Sequence, residues 1–196
     1  SLVVDAALLV QRTAEGDPLS YERIRMAKRG AGALGDSRLI PGIILDQRVA
    51  LDRQARNLEQ VKVAVLTRPL ALQKGVRETE IEVNDVDQLE SFMAAEDALL
   101  DAHAQAVLAS GARLIVCAKE VEPRVLHRLV DAGCVVLADV ERDGAEDLAE
   151  VTGATLCEHL DDLTGESLGS LDRFSVETLE GDEGRRERLI FEHANS

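Results

Sequence analysis

The stretch Leu160–Gly169 has the sequence Leu-Asp-Asp-Leu-Thr-Gly-Glu-Ser-Leu-Gly and follows a short strand-like segment. Its adjacent carboxylates, Asp161 and Asp162, are candidates for a metal site or an acid–base pair. Neighbouring residues point in different directions, however, and Asp162 with Thr164 fits the turn and cap before a short helix. We therefore predict a structural turn here, followed by a short helix at 165–169.

Upstream of this stretch, segments of strand and helix character alternate regularly. The predicted strands are 113–117, 134–138 and 154–157, and the predicted helices are about 121–132 and 144–152. Gly133 and Gly153 stand where these helices end, as glycine often does. This alternation predicts an α/β fold with a parallel βαβαβ core and right-handed crossovers.

The rest of the chain adds a long helix and extra strands to this core. Asp85 and Gln88 are spaced as a capping box, and they open a helix from about Val86 to Ala109 that Gly111 closes. One apolar stripe runs along it, interrupted at Glu96, and is formed by Leu89, Phe92, Met93, Leu100, Ala104 and Val107. The other predicted elements are an apolar helix at 2–10, strands at 24–28, 43–45, 61–66 and 80–83, and a C-terminal hairpin of 175–179 with 188–191.

Charge and hydropathy limit the partners of this chain. Its 37 acidic residues outnumber its 22 Lys and Arg, giving a net charge of −15. Nucleic acids and anionic membranes select clustered basic residues, so neither is expected as a partner. No apolar run approaches the ~20 residues of a membrane span, and no basic segment precedes the apolar start as in a signal peptide. We therefore expect a cytoplasmic protein.

The sequence offers little support for catalysis or metal binding. Cys117, Cys134 and Cys157 have no CxxC spacing, and each adjoins an apolar run, which predicts buried thiols. The four histidines are far apart in sequence and form no ligand pattern. Residues 30–35 match the Gly-x-Gly-x-x-Gly pattern of dinucleotide-binding loops, but a charged segment precedes them and Pro41 soon follows, so we favour a glycine linker.

Several of these segments together resemble the apical domain of group II chaperonins, the thermosome and eukaryotic cytosolic class. The resemblance rests on segments in the family's order and at compatible spacing: 39–46, 61–66, 84–89 with Phe92 and Glu96, 110–117, 151–154 and the Leu160–Gly169 stretch. Residues 2–10 and 18–30 are similar to the helix and strand of the family's intermediate domain. The match covers nearly the whole chain.

The resemblance implies a domain plan and a function. Residues 1–38 would be a partial intermediate-domain segment with a linker, and residues 39–196 the apical domain, with a helical protrusion at about 78–110. Such a domain binds non-native polypeptides and helps to close the folding cavity, in a parent whose sister subunits form a double ring. The Gly-Asp-Gly-Thr-Thr stretch with which the family binds ATP in its equatorial domain does not occur here. ATP and Mg²⁺ would therefore belong to the ATPase parent, and we expect an excised apical fragment that is not itself an enzyme.

Two groups of residues are candidates for binding these clients. Leu89, Phe92 and Met93 are candidates on the protrusion, although we expect two of the three to pack on residues 81–83. The second group lies on the predicted outward faces of helices 121–132 and 144–152 and consists of Arg124, Arg128, Asp131, Glu146, Asp147 and Glu150. Its mostly acidic character predicts a preference for polar or basic client segments.

Departures from the family pattern keep an alternative open. The family's Pro-Gly-x-Pro stretch is replaced by Leu51-Asp52-Arg53-Gln54-Ala55, and its basic run by the acidic segment 139–144. These changes put a family-typical client preference in doubt. The alternative is a small acidic α/β ligand-binding domain or enzyme, with its site at the carboxyl ends of strands 113–117 and 134–138.

Overall fold

The computed structural model describes residues 2–13, 24–27, 35, 37–72, 86–181 and 184–193. The helices are α1 (Leu2–Thr13), α2 (Val86–Ala109), α3 (Pro123–Asp131) and α4 (Arg142–Thr152). The strands are β1 (Gly42–Leu45), β2 (Asn57–Leu66), β3 (Leu114–Cys117), β4 (Val135–Leu137), β5 (Leu156–Cys157), β6 (Gly169–Gly181) and β7 (Gly184–Glu192), and Leu160–Asp162 form one turn of 3₁₀ helix. The mixed α/β class, the long helix and the C-terminal hairpin are thereby confirmed.

The chain forms two compact units. Unit 1 comprises residues 1–48, 56–60 and 171–196, and unit 2 comprises residues 49–55 and 61–170. In unit 1 the strand order is β1, β7, β6 and the first part of β2. The β6–β7 hairpin is antiparallel, and Phe174 and Phe191 pair across it with ring centroids 5.3 Å apart in a fully buried core.

Unit 2 contains the parallel core that the alternating pattern predicts. Its strand order is β5, β2, β3, β4, with every pairing parallel. Strands β4 and β5 follow each other in sequence but lie at opposite edges, because β5 pairs with β2. The strand residues Leu114–Cys117 and Val135–Leu137 are completely buried, and α3 packs Val125, Leu126 and Leu129 into the same core.

Two predicted elements are wrong. Ile24–Ala27 form neither helix nor strand, since alternation makes a strand only where a neighbouring strand supplies hydrogen bonds. Residues 165–169 are not a helix: Gly165–Ser167 form a turn and Gly169 already begins β6. The Ser167 hydroxyl holds this turn by donating to the Thr164 carbonyl at 2.9 Å and accepting from the Thr164 N–H at 3.0 Å, and the exposed Asp162 carboxylate does not cap it.

Other predictions fall outside the described residues. These are the strand at 80–83, most of the glycine-rich segment 30–35 and the first part of the predicted protrusion, 78–85. Among the helices that the structure does describe, none combines the length and the apolar character needed to cross a membrane.

Candidate functional site

The long helix α2 has an exposed first part and a buried second part. In the second part Leu100, Ala104 and Val107 are 0–6% exposed and belong to the unit 2 core. In the first part Leu89 and Met93 are 45% and 56% exposed, and Leu99 is 49% exposed. Apolar area of this kind is available for weak, sequence-tolerant contacts with other chains.

The three protrusion candidates therefore differ in accessibility. Phe92 is partly buried, whereas Leu89 and Met93 are exposed. Residues 81–83, on which two of the three were expected to pack, lie outside the described residues. The client-binding role of all three stays a prediction.

The candidates on α3 form ion pairs with α2. Arg124 Nη1 lies 2.6 Å from Asp97 Oδ1, and its Nε lies 3.7 Å from Asp101 Oδ1. Arg128 also pairs with Asp101. Both arginines remain 40–50% exposed while they hold α3 against α2. Any client that binds them must compete with these aspartates.

The remaining candidates lie at the end of α3 and on α4. Asp131 pairs with Arg53 Nη1 at 2.7 Å. On α4, Glu146 accepts a hydrogen bond from Arg142 Nε at 2.7 Å, within the same helix. Glu150 is exposed and Asp147 is partly buried. Glu146 and Glu150 are thus exposed on α4, whereas α3 carries ion-paired arginines, and the client-binding role of these residues stays a prediction.

Asp101 is the centre of the ion pairs between α2 and α3. The hydrogen bond from Arg128 lowers the pKa of its carboxyl, and the positive charges of Arg128 and Arg124 act in the same direction. A carboxylate with a lowered pKa in the folded state stabilises the fold above its unfolded pKa of about 3.9, and the contribution disappears as the pH falls through the folded pKa.

We expect Asp101→Asn to flatten the acid limb of the stability curve. In wild type, the free energy of unfolding should fall as the pH drops below about 4, and part of this fall should be absent from the variant, since Asn cannot ionise. Urea unfolding at neutral and acid pH measures the difference. The matched control is Asp52→Asn, an exposed carboxylate in the same unit. Equal pH dependence of wild type and Asp101→Asn would contradict the assignment.

A cleft at the carboxyl ends of β2, β3 and β4 is the structure's counterpart to the alternative site. It has a volume of about 340 Å³ and is lined by Thr67, Ala118, Lys119, Asp139, Val140, Glu141 and Arg142. Asp139 has a positive φ of 53°, a conformation that non-glycine residues adopt infrequently. The lining contains charges of both signs but no thiol or imidazole.

The other candidate groups for chemistry are poorly placed. Burial raises the pKa of the Cys117 thiol to about 11 and also raises that of Cys134, so both are poor nucleophiles near neutral pH. All three cysteines are buried, as predicted. Asp161 and Asp162 are exposed on the 3₁₀ turn. Within the described ranges, no three His, Cys, Asp or Glu side chains are grouped to hold a metal ion.

Sequence reasoning missed Arg53, Gln54, Asp97 and Asp101. Gln54 is 4% exposed and its side-chain amide bonds the backbone of Val136. Asp97 and Asp101 lie within a long acidic segment, where nothing distinguishes them from solvated residues. Their partners lie far away in sequence, so only the folded structure reveals the contacts.

Comparisons with known proteins agree with this architecture. The sequence model of the TCP-1/cpn60 chaperonin family matches residues 1–186. Thermosome subunit beta of Desulfurococcus mucosus is 32% identical over 161 residues, which are 82% of this chain and 32% of that protein. Thermosome subunit alpha of Aeropyrum pernix is 33% identical over 171 residues, 86% of this chain and 31% of that protein.

A solved structure, the open-state monomer of a group II chaperonin from Methanococcoides burtonii, superposes with a TM-score of 0.69. The superposition covers 100% of this chain and 43% of that one, at 22% sequence identity. The fold is therefore of the group II chaperonin class. The chain belongs to the TCP-1/cpn60 chaperonin family, and it is similar to thermosome subunits over about a third of their length.

Proposed function

We propose that this chain is the client-binding part of a group II chaperonin subunit, with residues 39–196 as its apical domain and residues 1–38 as an intermediate-domain segment. The observation that carries the proposal is the exposed apolar surface on α2, where Leu89, Met93 and Leu99 are about half exposed on a helix whose second part is firmly in the core. Such a surface suits non-native polypeptides, which present apolar segments without a fixed sequence.

The whole-protein activities belong to the same proposal. The parent would be a cytoplasmic ATPase whose subunits assemble into a double ring, with ATP and Mg²⁺ in an equatorial domain. The residues of this chain do not fit those groups: the family's ATP-binding stretch is absent from the sequence, and the described residues offer no cluster for a divalent ion. We therefore assign no nucleotide step to this chain.

The charge that this chain should prefer in its clients follows from the second group of candidate residues. The exposed face of α4 carries Glu146 and Glu150, and Asp131 already holds a guanidinium group. Basic and polar client segments should bind better here than acidic ones. The carboxylates of an acidic segment would be repelled by those on α4 and would lose water without gaining a cationic partner.

The test of the proposed function removes the apolar surface of α2. We expect Leu89→Ser combined with Met93→Ser to reduce several-fold the ability of the chain to suppress aggregation of a heat-denatured model protein. Because both side chains are exposed, the thermal stability should change little. Light scattering during heating gives the measurement.

The matched control is Met26→Ser, which replaces a methionine that is 85% exposed outside α2. It should leave the suppression of aggregation unchanged. Equal suppression by wild type and by the α2 double variant would contradict the proposed role of Leu89 and Met93. Failure of wild type itself to suppress aggregation would contradict the proposed function.

One observation favours a second candidate function, a small-molecule site. The cleft lined by Lys119, Asp139 and Arg142 lies at the carboxyl ends of parallel strands, where α/β proteins commonly bind ligands. A thermal-shift screen separates the two functions. A large stabilisation by one small molecule, without suppression of aggregation, would favour the cleft.

A further inference from the structure

Residues 49–55 form a strap that lies on unit 2, although the residues on either side of it in sequence belong to unit 1. The strap turns at its centre, where the Gln54 N–H donates to the Leu51 carbonyl at 3.1 Å. Val49 and Gln54 are 6% and 4% exposed, and Ala50 and Leu51 pack against the unit 2 core. The strap is therefore fixed to the parallel core and does not hang free of it.

Under the strap lies the open edge of β4. Val135 directs its N–H towards β3, donating to the Arg113 carbonyl at 2.8 Å. Successive strand residues alternate in direction, so Val136 directs its backbone groups away from β3. Its N–H donates to Gln54 Oε1, and its carbonyl accepts from Gln54 Nε2 and from the Ala50 N–H, both at 3.3 Å. The amide side chain of Gln54 thus makes the donor–acceptor pair that the backbone of a neighbouring strand would make.

The strap also places a basic group on α3. The Arg53 guanidinium lies 2.7 Å from Asp131 Oδ1 and donates to His127 Nδ1 at 2.8 Å. Arg53 and Asp131 are 51% and 62% exposed, so this contact is accessible from solvent. Exposed ion pairs of this kind contribute little stability, because water screens both charges. The contact is therefore weak enough to exchange with a similar group from another chain.

We propose that the strap is an intramolecular stand-in for an extended, arginine-bearing peptide segment, and that α3 and the β4 edge beneath it bind such a segment when the strap is displaced. The chemistry of the occupant is taken from what the strap supplies: a paired amide N–H and C=O for Val136, and a guanidinium for Asp131 and His127. Extended peptides bind sheet edges through the same backbone groups. The inference rests on the proposed function, since it names the client segments that this surface accepts.

The side chains that imitate such a segment come from two adjacent residues of the strap, Arg53 and Gln54. The strap is therefore an autoinhibitory contact that a client must displace.

Peptide binding to strap variants tests the proposal. A labelled ten-residue peptide of alternating Val and Arg is titrated with the full chain by fluorescence polarisation, alongside the same peptide with Glu for Arg. We expect Arg53→Ala with Gln54→Ala to bind the basic peptide at least tenfold more tightly than wild type, and Arg53→Ala alone about threefold more tightly. Adding Asp131→Asn should remove most of the gain. The control Arg48→Ala removes an exposed arginine just outside the strap and should change nothing.

Hydrogen exchange locates the peptide. The Val136 amide should exchange faster in the double variant and regain protection when the basic peptide binds. No gain in affinity, or an equal gain for the acidic peptide, would overturn the proposal. Should the Gln54 substitution unfold the chain, Arg53→Ala alone decides, because Arg53 is on the surface.

The outcome is separable from that of the proposed function. The aggregation assay compares wild type with the variant at Leu89 and Met93, and these two residues lie on α2 and not on the strap. Peptide binding to the strap variants without suppression would contradict the chaperonin role and keep the strap site. Suppression of aggregation without a gain in peptide affinity would support the chaperonin role and contradict the strap site.

Discussion

Replacing Gly42 by alanine is expected to destabilise unit 1 by roughly 3 kcal/mol, the combined scale of backbone strain and overpacking at one residue. Gly42 opens β1 with a φ of 141°, which side-chain-bearing residues rarely adopt. A Cβ at this position would lie 1.9 Å from the carbonyl oxygen of Phe191 on the paired strand β7. The neighbour is backbone, so it can give way only if the β1–β7 pairing shifts.

Denaturant unfolding and hydrogen exchange at the β1–β7 pair measure the Gly42 effect. The matched control is Gly165→Ala, at an exposed glycine with no atom within 4 Å of the added Cβ. It should change stability by no more than about 0.5 kcal/mol. A stable Gly42→Ala protein with normal protection of Ile43 and Ile44 would show that the strand pairing tolerates the shift.

Gly169→Ala should cost about 2 kcal/mol in unit 2, within the usual range for overpacking. A Cβ there would lie 2.5 Å from Thr152 Oγ1 and 2.7 Å from the Thr152 carbonyl oxygen. Thr152 is 4% exposed, and its hydroxyl already donates to the Leu148 carbonyl at 2.6 Å. The side chain therefore has little freedom to move aside, and Gly169→Val should be worse than Gly169→Ala.

Thermal unfolding of three comparison variants distinguishes packing from chemistry in the Leu160–Gly169 stretch. Ser170→Ala, Asp161→Asn and Asp162→Asn each alter an exposed side chain and should change stability by less than about 0.5 kcal/mol. If the two carboxylate variants instead lost as much stability as Gly169→Ala, the carboxylates of the stretch would be the groups that stabilise unit 2. The close approach of Gly169 to Thr152 indicates instead that the glycine at the end of the stretch is the residue that matters for stability.

The long helix shows how far periodicity reaches. The spacing of its apolar residues predicts α2 from Val86 to Ala109, as found, because local sequence determines helical period. The apolar stripe has members in both parts of the helix, yet Leu100 is buried and Met93 is exposed. Burial depends on which other elements lie opposite, and that information is absent from the helix's own sequence.

Sheet order and polar contacts show the same limit. Alternation predicts that β3, β4 and β5 are parallel, but it does not predict that β5 pairs with β2, since strand neighbours depend on where α4 crosses the sheet. Gln54 resembles any polar loop residue in the sequence. Its burial follows from the unpaired backbone of Val136, which exists only after the sheet has formed.

The position of α3 has a consequence for how the molecule responds to its medium. Ion pairs hold this helix on two sides, through Arg124 and Arg128 towards α2 and through Asp131 towards the strap. Dissolved electrolyte screens exposed charges over about 8 Å at physiological ionic strength. A high salt concentration would therefore weaken the ion pairs to α2 and to the strap together, while Val125 and Leu129 keep α3 packed in the core. The local mobility of α3 should then vary with the salt concentration more than the free energy of unfolding of the whole chain does.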